Sequence, residues 1–109
     1  MAEEPLRYVV LRHEGVPEPH FDVMCEAVHG SPLVTIRTQE WPMREETPFQ
    51  RLPDHRRLYL DYEGPVSNDR GHVRRVATGT CRCEAGSDDS LIVRFDTGLK
   101  LRVPRTRMD

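Results

Sequence analysis

A chain of 109 residues is long enough for one domain with one modest core. With 31% charged residues, 37% hydrophobic residues and a formal net charge of −2, it is polar yet globular. That balance excludes coating long nucleic acid by bulk charge and leaves open the recognition of one end or a few phosphates. No apolar run approaches the roughly 20 residues of a membrane span, and Met1-Ala2-Glu3-Glu4-Pro5 lacks the apolar stretch of a secretory signal. The expectation is a cytoplasmic protein with no membrane partner. An odd count of three cysteines argues against a disulfide framework. Cys81 and Cys83 are two apart and share a strand face. They are either small strand residues of a reduced protein or, with a histidine, a zinc site that lacks the usual CxxC pattern.

Arg7 to His13, RYVVLRH, is rich in β-formers and predicts the first strand. Glu14 to Pro19 is punctuated by Gly15, Pro17 and Pro19 and predicts a loop. The next strand is expected from His20 to about Val28, and it alternates. His20, Asp22, Met24 and Glu26 fall on one parity; Phe21, Val23 and Cys25 fall on the other. On a strand, residues two apart point the same way. An imidazole and a carboxylate therefore stand side by side over an apolar face. His29-Gly30-Ser31-Pro32 reads as a turn and Leu33 to Thr38 as the return strand of a hairpin.

Gln39 to Pro53 holds three prolines and one weakly helical run, Met43 to Glu46, and is expected to be a long surface loop. Trp41 within it fits a core anchor or a cap on a barrel end; a stacking platform for a base is the other use. His55 to Glu63 alternates again, with His55, Arg57, Tyr59 and Asp61 on one parity and Leu58, Leu60 and Tyr62 on the other. This predicts a second strand with a titratable face. Ser67 to Gly71 is a turn by composition. Val73 to Cys83 reads as one or two strands interrupted at Gly79, and Glu84 to Ser90 as an acidic turn. Leu91 to Phe95 and Leu99 to Val103 flank Asp96-Thr97-Gly98, a three-residue hairpin loop with glycine where a left-handed residue is needed. Arg102, Arg105 and Arg107 make a basic tail.

Seven or eight short strands with no long amphipathic helix predict an all-β domain, a barrel or a sandwich. It spans residues 1–109, with 1–5 and 104–109 as tails. Three segments carry the candidate chemistry: His13 at a strand end, His20 and Asp22 on the next strand, and His55 with Tyr59 further on. Imidazoles with a carboxylate suit Mn²⁺, Zn²⁺ or Fe²⁺. Arg56 and Arg57 beside His55 match the geometry of phosphate oxygens.

In order along the chain, His13, then His20-Phe21-Asp22, Glu26, Asp54-His55, Tyr59 and Glu63-Gly64 resemble the motifs of the 3′-phosphoesterase domain of bacterial DNA ligase D, and of its small stand-alone relatives. The resemblance runs from about Arg7 to Gly79. It implies an all-β fold, a small closed or nearly closed β-barrel of about seven to eight strands with an apolar interior and a polar site on its outer surface. It implies a Mn²⁺-dependent enzyme that trims DNA 3′ ends by removing a terminal ribonucleoside and a 3′-phosphate, with ligase or polymerase repair partners. By position, His13, His20 and Asp22 would ligate the metal, while His55 and Tyr59 would hold or protonate the scissile phosphate.

Three departures stand out. Met24 occupies the place of an arginine that contacts phosphate in the family, and the loop between His13 and His20 is one residue longer. An arginine expected upstream of Asp54-His55 is matched only loosely, by Arg51 or Arg44. Arg57 on the His55 face, or Arg37 on the neighbouring strand, is available in place of residue 24. Losing such a contact commonly costs about a hundredfold in rate. Two functions follow: a metal-dependent 3′-phosphoesterase, or a metal- and phosphate-binding module that holds nucleic-acid ends or a repair partner without turnover. A third is a barrel that acts on a different phosphorylated substrate.

Overall fold

The computed structural model describes residues 4–105. Of the expected tails, residues 1–3 and 106–109, Arg107 among them, lie outside the described residues. The strands are β1 (Leu6–Glu14), β2 (His20–Glu26), β3 (Leu33–Thr38), β4 (Gln50–His55), β5 (Gly64–Pro65), β6 (His72–Ala85), β7 (Leu91–Phe95) and β8 (Lys100–Val103). They form one antiparallel sheet in the order β4-β3-β2-β1-β6-β7-β8, with the two-residue β5 paired to β6. The sheet curls into a half-barrel and does not close: β4 and β8 are its edges among the described residues.

The inner face is built by alternate residues. Tyr8 and Val10, Val23 and Cys25, Val34 and Ile36, Val93 and Phe95, and Leu101 and Val103 pack together inside the curl. The Tyr8 and Phe95 rings meet edge to face at 4.9 Å. Met43 is buried in this core and Trp41 packs half-buried against it, so the 39–49 loop serves as an anchor. The three cysteines are free thiols. Those of Cys81 and Cys83 point at the Glu26 carbonyl, and Cys81 is pushed up to about 12 by its bond with Cys25 and by burial. A thiol so held is a poor metal ligand near neutral pH.

The outer face of β1–β3 is buried as well. Val9, Leu11, Met24, Leu33 and Val73 form a second core, capped by Leu60 with Tyr59, Tyr62 and Val66. This explains why Tyr8-Val9-Val10-Leu11 is continuously apolar rather than alternating: central strands covered on both faces need no polar side.

Two expected elements differ. His55 to Glu63 is not a strand. The strand ends at His55, and Arg57–Leu60 is a short 3-10 turn that sends Leu60 into the second core and leaves Leu58 exposed. Alternation over four residues does not distinguish a strand from a turn whose side chains eclipse at i and i+3. The strand comes instead from Gln50–His55, inside the expected loop; Pro53 is tolerated because β4 is an edge. β2 also ends at Glu26, short of Val28. β6, by contrast, runs unbroken through Gly79, where any side chain would collide with Asp96 and Tyr8. The β7–β8 loop is as predicted, with Gly98 at φ 97°.

Candidate metal centre and adjoining cleft

Antiparallel pairing places His13 of β1 directly opposite His20 of β2, and directly opposed residues share a face. Asp22 follows His20 on that face. The register thus gathers three side chains from two strands with no help from a loop. The Asp22 Oδ2 lies 3.5 Å from His20 Nε2 and 3.9 Å from His13 Nδ1. One nitrogen or oxygen from each of the three falls within 4.8 Å of the others.

The backbone decides which nitrogens face this point. His20 Nδ1 meets the Glu18 carbonyl at 2.8 Å, and His13 Nε2 meets the Arg70 carbonyl at 2.7 Å. A carbonyl oxygen only accepts, so each of those nitrogens carries the hydrogen. The opposite nitrogens, His20 Nε2 and His13 Nδ1, then present lone pairs toward Asp22. His20 Nε2 is buried without a hydrogen-bond partner. A buried lone pair 3.5 Å from a carboxylate oxygen is unfavourable unless positive charge lies between them. A divalent cation bound by two imidazoles and a carboxylate satisfies all three groups, and the carbonyl-held second nitrogens are the usual support of ligating histidines. Arg37 Nε holds the other Asp22 oxygen at 3.4 Å, which leaves Oδ2 for the centre. Among the described residues this is the group of three that can hold a metal; Cys81 and Cys83 join no histidine in such a set.

Beside the triad lies a cleft of about 380 Å³. It is lined by His13, Asp22, Met24, Arg37 and Val73, by the end of β4 with Pro53, Asp54, His55 and Arg56, by Tyr59, and by Val66 and Arg70. His55 is oriented like the other two: its Nδ1 donates to the Pro53 carbonyl at 2.9 Å, leaving Nε2 free. Its ring centroid is 6.1 Å from that of Tyr59, which in turn packs on Tyr62. Five of the six residues singled out from the sequence, His13, His20, Asp22, His55 and Tyr59, therefore lie in or against one region.

Arg57 is the exception. It sits on the 3-10 turn but faces away from the cleft, bound to Glu26 Oε2 at 2.8 Å and the Ser31 carbonyl at 2.9 Å. Its expected phosphate role does not fit that commitment. The reason is the misread strand: in a 3-10 turn, residues 57 and 59 do not share a face. Glu26 is buried there. Burial alone raises its carboxyl, but the Arg57 hydrogen bond, the Arg7 amide and the Arg57 charge outweigh burial and hold it below the ordinary carboxylate range. Arg44 pairs with Glu46 at the surface, and Arg51 holds Asp54 at 2.8 Å behind the cleft wall. Arg37 and Arg56 do line the cleft. So does Arg70, which sequence reasoning passed over as a turn residue.

No protein-family model matches the chain, and no curated protein matches it.

Proposed function

We propose that this protein is a metal-dependent phosphoesterase that processes nucleic-acid 3′ ends, removing a 3′-phosphate or a terminal ribonucleotide, in line with the ligase D-like motif order. The observation that carries the reading is the orphaned, buried His20 Nε2, aimed with His13 Nδ1 at one Asp22 oxygen, beside a cleft lined by His13 and Asp22 together with His55 and Tyr59.

His13, His20 and Asp22 would hold the ion. A bound divalent cation, Mn²⁺ by the resemblance and by the mixed nitrogen and oxygen donors, supplies Lewis-acid polarisation of a phosphoryl oxygen. The remaining chemistry belongs to the chain. Arg37, tied to Asp22 through Nε, keeps its terminal nitrogens for phosphate oxygens. His55 in its cationic form offsets the charge that grows on the phosphoryl group, and its Nε2 or the Tyr59 hydroxyl can pass a proton to the leaving oxygen.

Met24 favours a second reading. It is buried in the outer core, so β2 contributes no charge to the phosphate where a ligase-linked enzyme has an arginine. A module that binds metal and phosphate without turning over would look the same. The experiment is to incubate the protein and Mn²⁺ with a primer-template bearing a 3′-phosphate, beside His20→Ala. Release by the parent that is lost in the variant supports the enzyme. Metal-dependent binding of the same DNA without release supports the module. Release that persists in His20→Ala removes the proposed centre from the reaction.

A further inference from the structure

The sheet has two edges among the described residues, and they are unlike. On β4, Pro53 has no amide to donate, and Asp54 is already paired with Arg51. β8 carries no proline within Lys100–Val103. Its backbone alternates. The Phe95 amide donates to the Leu99 carbonyl at 2.8 Å, so Leu99, Leu101 and Val103 turn their N–H and C=O groups to β7. Those of Lys100 and Arg102 then point away from the sheet. No backbone hydrogen bond from another segment meets them among the described residues.

The side chains of this edge divide in the same way. Leu101 and Val103 are buried in the inner core, while Lys100 and Arg102 are exposed on the other face. The register sets Arg82 of β6 opposite Arg94 of β7, and Arg94 opposite Lys100. Three cations thus stand in one row across three strands, where like charges directly opposed are unfavourable. Glu84 neutralises Arg94 at 3.0 Å, whereas Arg82 and Lys100 have no carboxylate partner among the described residues. Arg102 is already held by Asp88 and Ser90, each at 2.9 Å. The row therefore ends, at the open edge, on an uncompensated lysine.

We propose that the β8 edge accepts an extended peptide of a partner protein as a further strand, with an acidic side chain opposite Lys100 and apolar side chains on either side of it. Main-chain bonds to the outward groups of Lys100 and Arg102 give the affinity, and the carboxylate completes the row. The flanking positions fall on the inner face, beside Leu99 and Leu101. Leu99 there lines an open cleft of about 670 Å³ with Trp41, Pro42 and Met43. A second copy of this chain fits worse. Its β8 would set lysine and arginine against lysine and arginine, and its β4 offers Pro53 and an acid already paired with Arg51. A lysine on an edge repels such strands and selects an acidic one. The edge is separated from β1 and its metal-facing His13 by β6 and β7, so the proposal is independent of the phosphoesterase reading.

The probe is a short synthetic peptide of alternating threonine and valine with one central glutamate between two valines, beside its counterpart with lysine at the centre. Each is titrated into the full chain, and amide hydrogen exchange is followed residue by residue. The glutamate peptide is expected to bind and to slow exchange at Lys100 and Arg102, while Leu101, already bonded to β7, does not change. The lysine peptide should bind about tenfold more weakly. Lys100→Glu should exchange the two preferences. Arg102→Pro removes an outward donor and no bond to β7, and should bind neither peptide. Where Arg102→Pro does not fold, the Lys100→Glu exchange decides. No binding, equal binding of both peptides by the parent, or a preference unmoved by Lys100→Glu overturns the proposal. So does protection at amides other than Lys100 and Arg102, or self-association of the parent through this edge.

Discussion

Two carboxylates stand on the outer face of β2, four residues apart, and they could hardly be treated more differently. Glu26 is saturated: the Arg7 amide holds one oxygen at 2.8 Å and Arg57 holds the other at 2.8 Å. Asp22 is left incomplete, with Arg37 on one oxygen and two imidazole lone pairs near the other. Both are buried. Burial with every bond made stabilises a fold; burial with lone pairs facing one another is a deficit that a metal cation, or a proton on an imidazole, removes. One strand face therefore holds a structural clamp at one end and, at the other, a cluster that can hold a metal, and Met24 packs between them in the outer core.

The hardest test of that division is to place charge between the two ends. Met24→Arg puts a charge between the two ends, at a residue that is 2% exposed and surrounded by Val9, Leu11, Leu33 and Leu60. Burying an unpaired guanidinium there should cost on the order of 3–5 kcal/mol. The melting temperature should fall by roughly 10 °C or more. A variant that melts like the parent would show that side chain 24 reaches the cleft freely and that the two ends are not separated by a packed core. Next in size, His20→Ala and Asp22→Asn should each lower Mn²⁺ affinity by about a hundredfold or more, read by titration or by the spectrum of bound Mn²⁺. His20→Ala removes the unpaired nitrogen together with the Glu18 bond and buried volume, so it should lower the melting temperature of the metal-free protein by only a few degrees. A large loss of metal-free stability would place His20 with Glu26 as a clamp instead.

Much of the incomplete end was legible in the chain. His20 and Asp22 two apart on a β-prone run, with His13 closing the previous strand, follow from the period of the strand alone. The opposition of His13 and His20 needed only the hairpin. The saturated end was not legible. Arg57 looked like a neighbour of His55 because four alternating residues mimic a strand, whereas the 3-10 turn rotates it to Glu26, 31 residues earlier. β4 was hidden because Pro48 and Pro53 read as loop residues, and only the position at a sheet edge makes Pro53 acceptable. The supports of the imidazoles were invisible for a different reason: Glu18 and Arg70 act through backbone carbonyls, which every residue has. The one clue was Gly71, whose φ of 77° and tight approach to the Glu14 backbone fix where the Arg70 carbonyl lies.

That clue sharpens the comparison at smaller scale. Gly71→Ala alters no ligand, yet a Cβ there meets the Glu14 carbonyl, in a backbone conformation that favours glycine. The turn must shift, and the Arg70 carbonyl with it. Mn²⁺ affinity should drop by about tenfold, the scale on which outer partners of ligating histidines act. Arg70→Gln keeps the carbonyl and should leave that affinity unchanged. Equal affinities for Gly71→Ala and the parent would mean that His13 is oriented by its own strand and not by the turn.

The smallest effect should come from the saturated end, and its sign is set by the direction of the Glu26 shift. The folded carboxyl lies below its ordinary value of 4.5, so the unfolded chain takes up the proton first as pH falls. The stabilisation is therefore complete above about pH 5 and is lost as pH drops through the folded value. Glu26→Gln should lower stability at pH 7 by about 1.5 kcal/mol, the low end for a hydrogen bond to a charged group because Arg57 is partly exposed. The gap to the parent should narrow below pH 4.5, as measured by denaturant unfolding across that range. Mn²⁺ affinity should stay within about twofold of the parent, since the two ends share no partner. A Glu26→Gln variant that kept its stability but lost the metal would reverse the assignment, because it would make the clamp part of the centre and leave the orphaned nitrogen of His20 without its explanation.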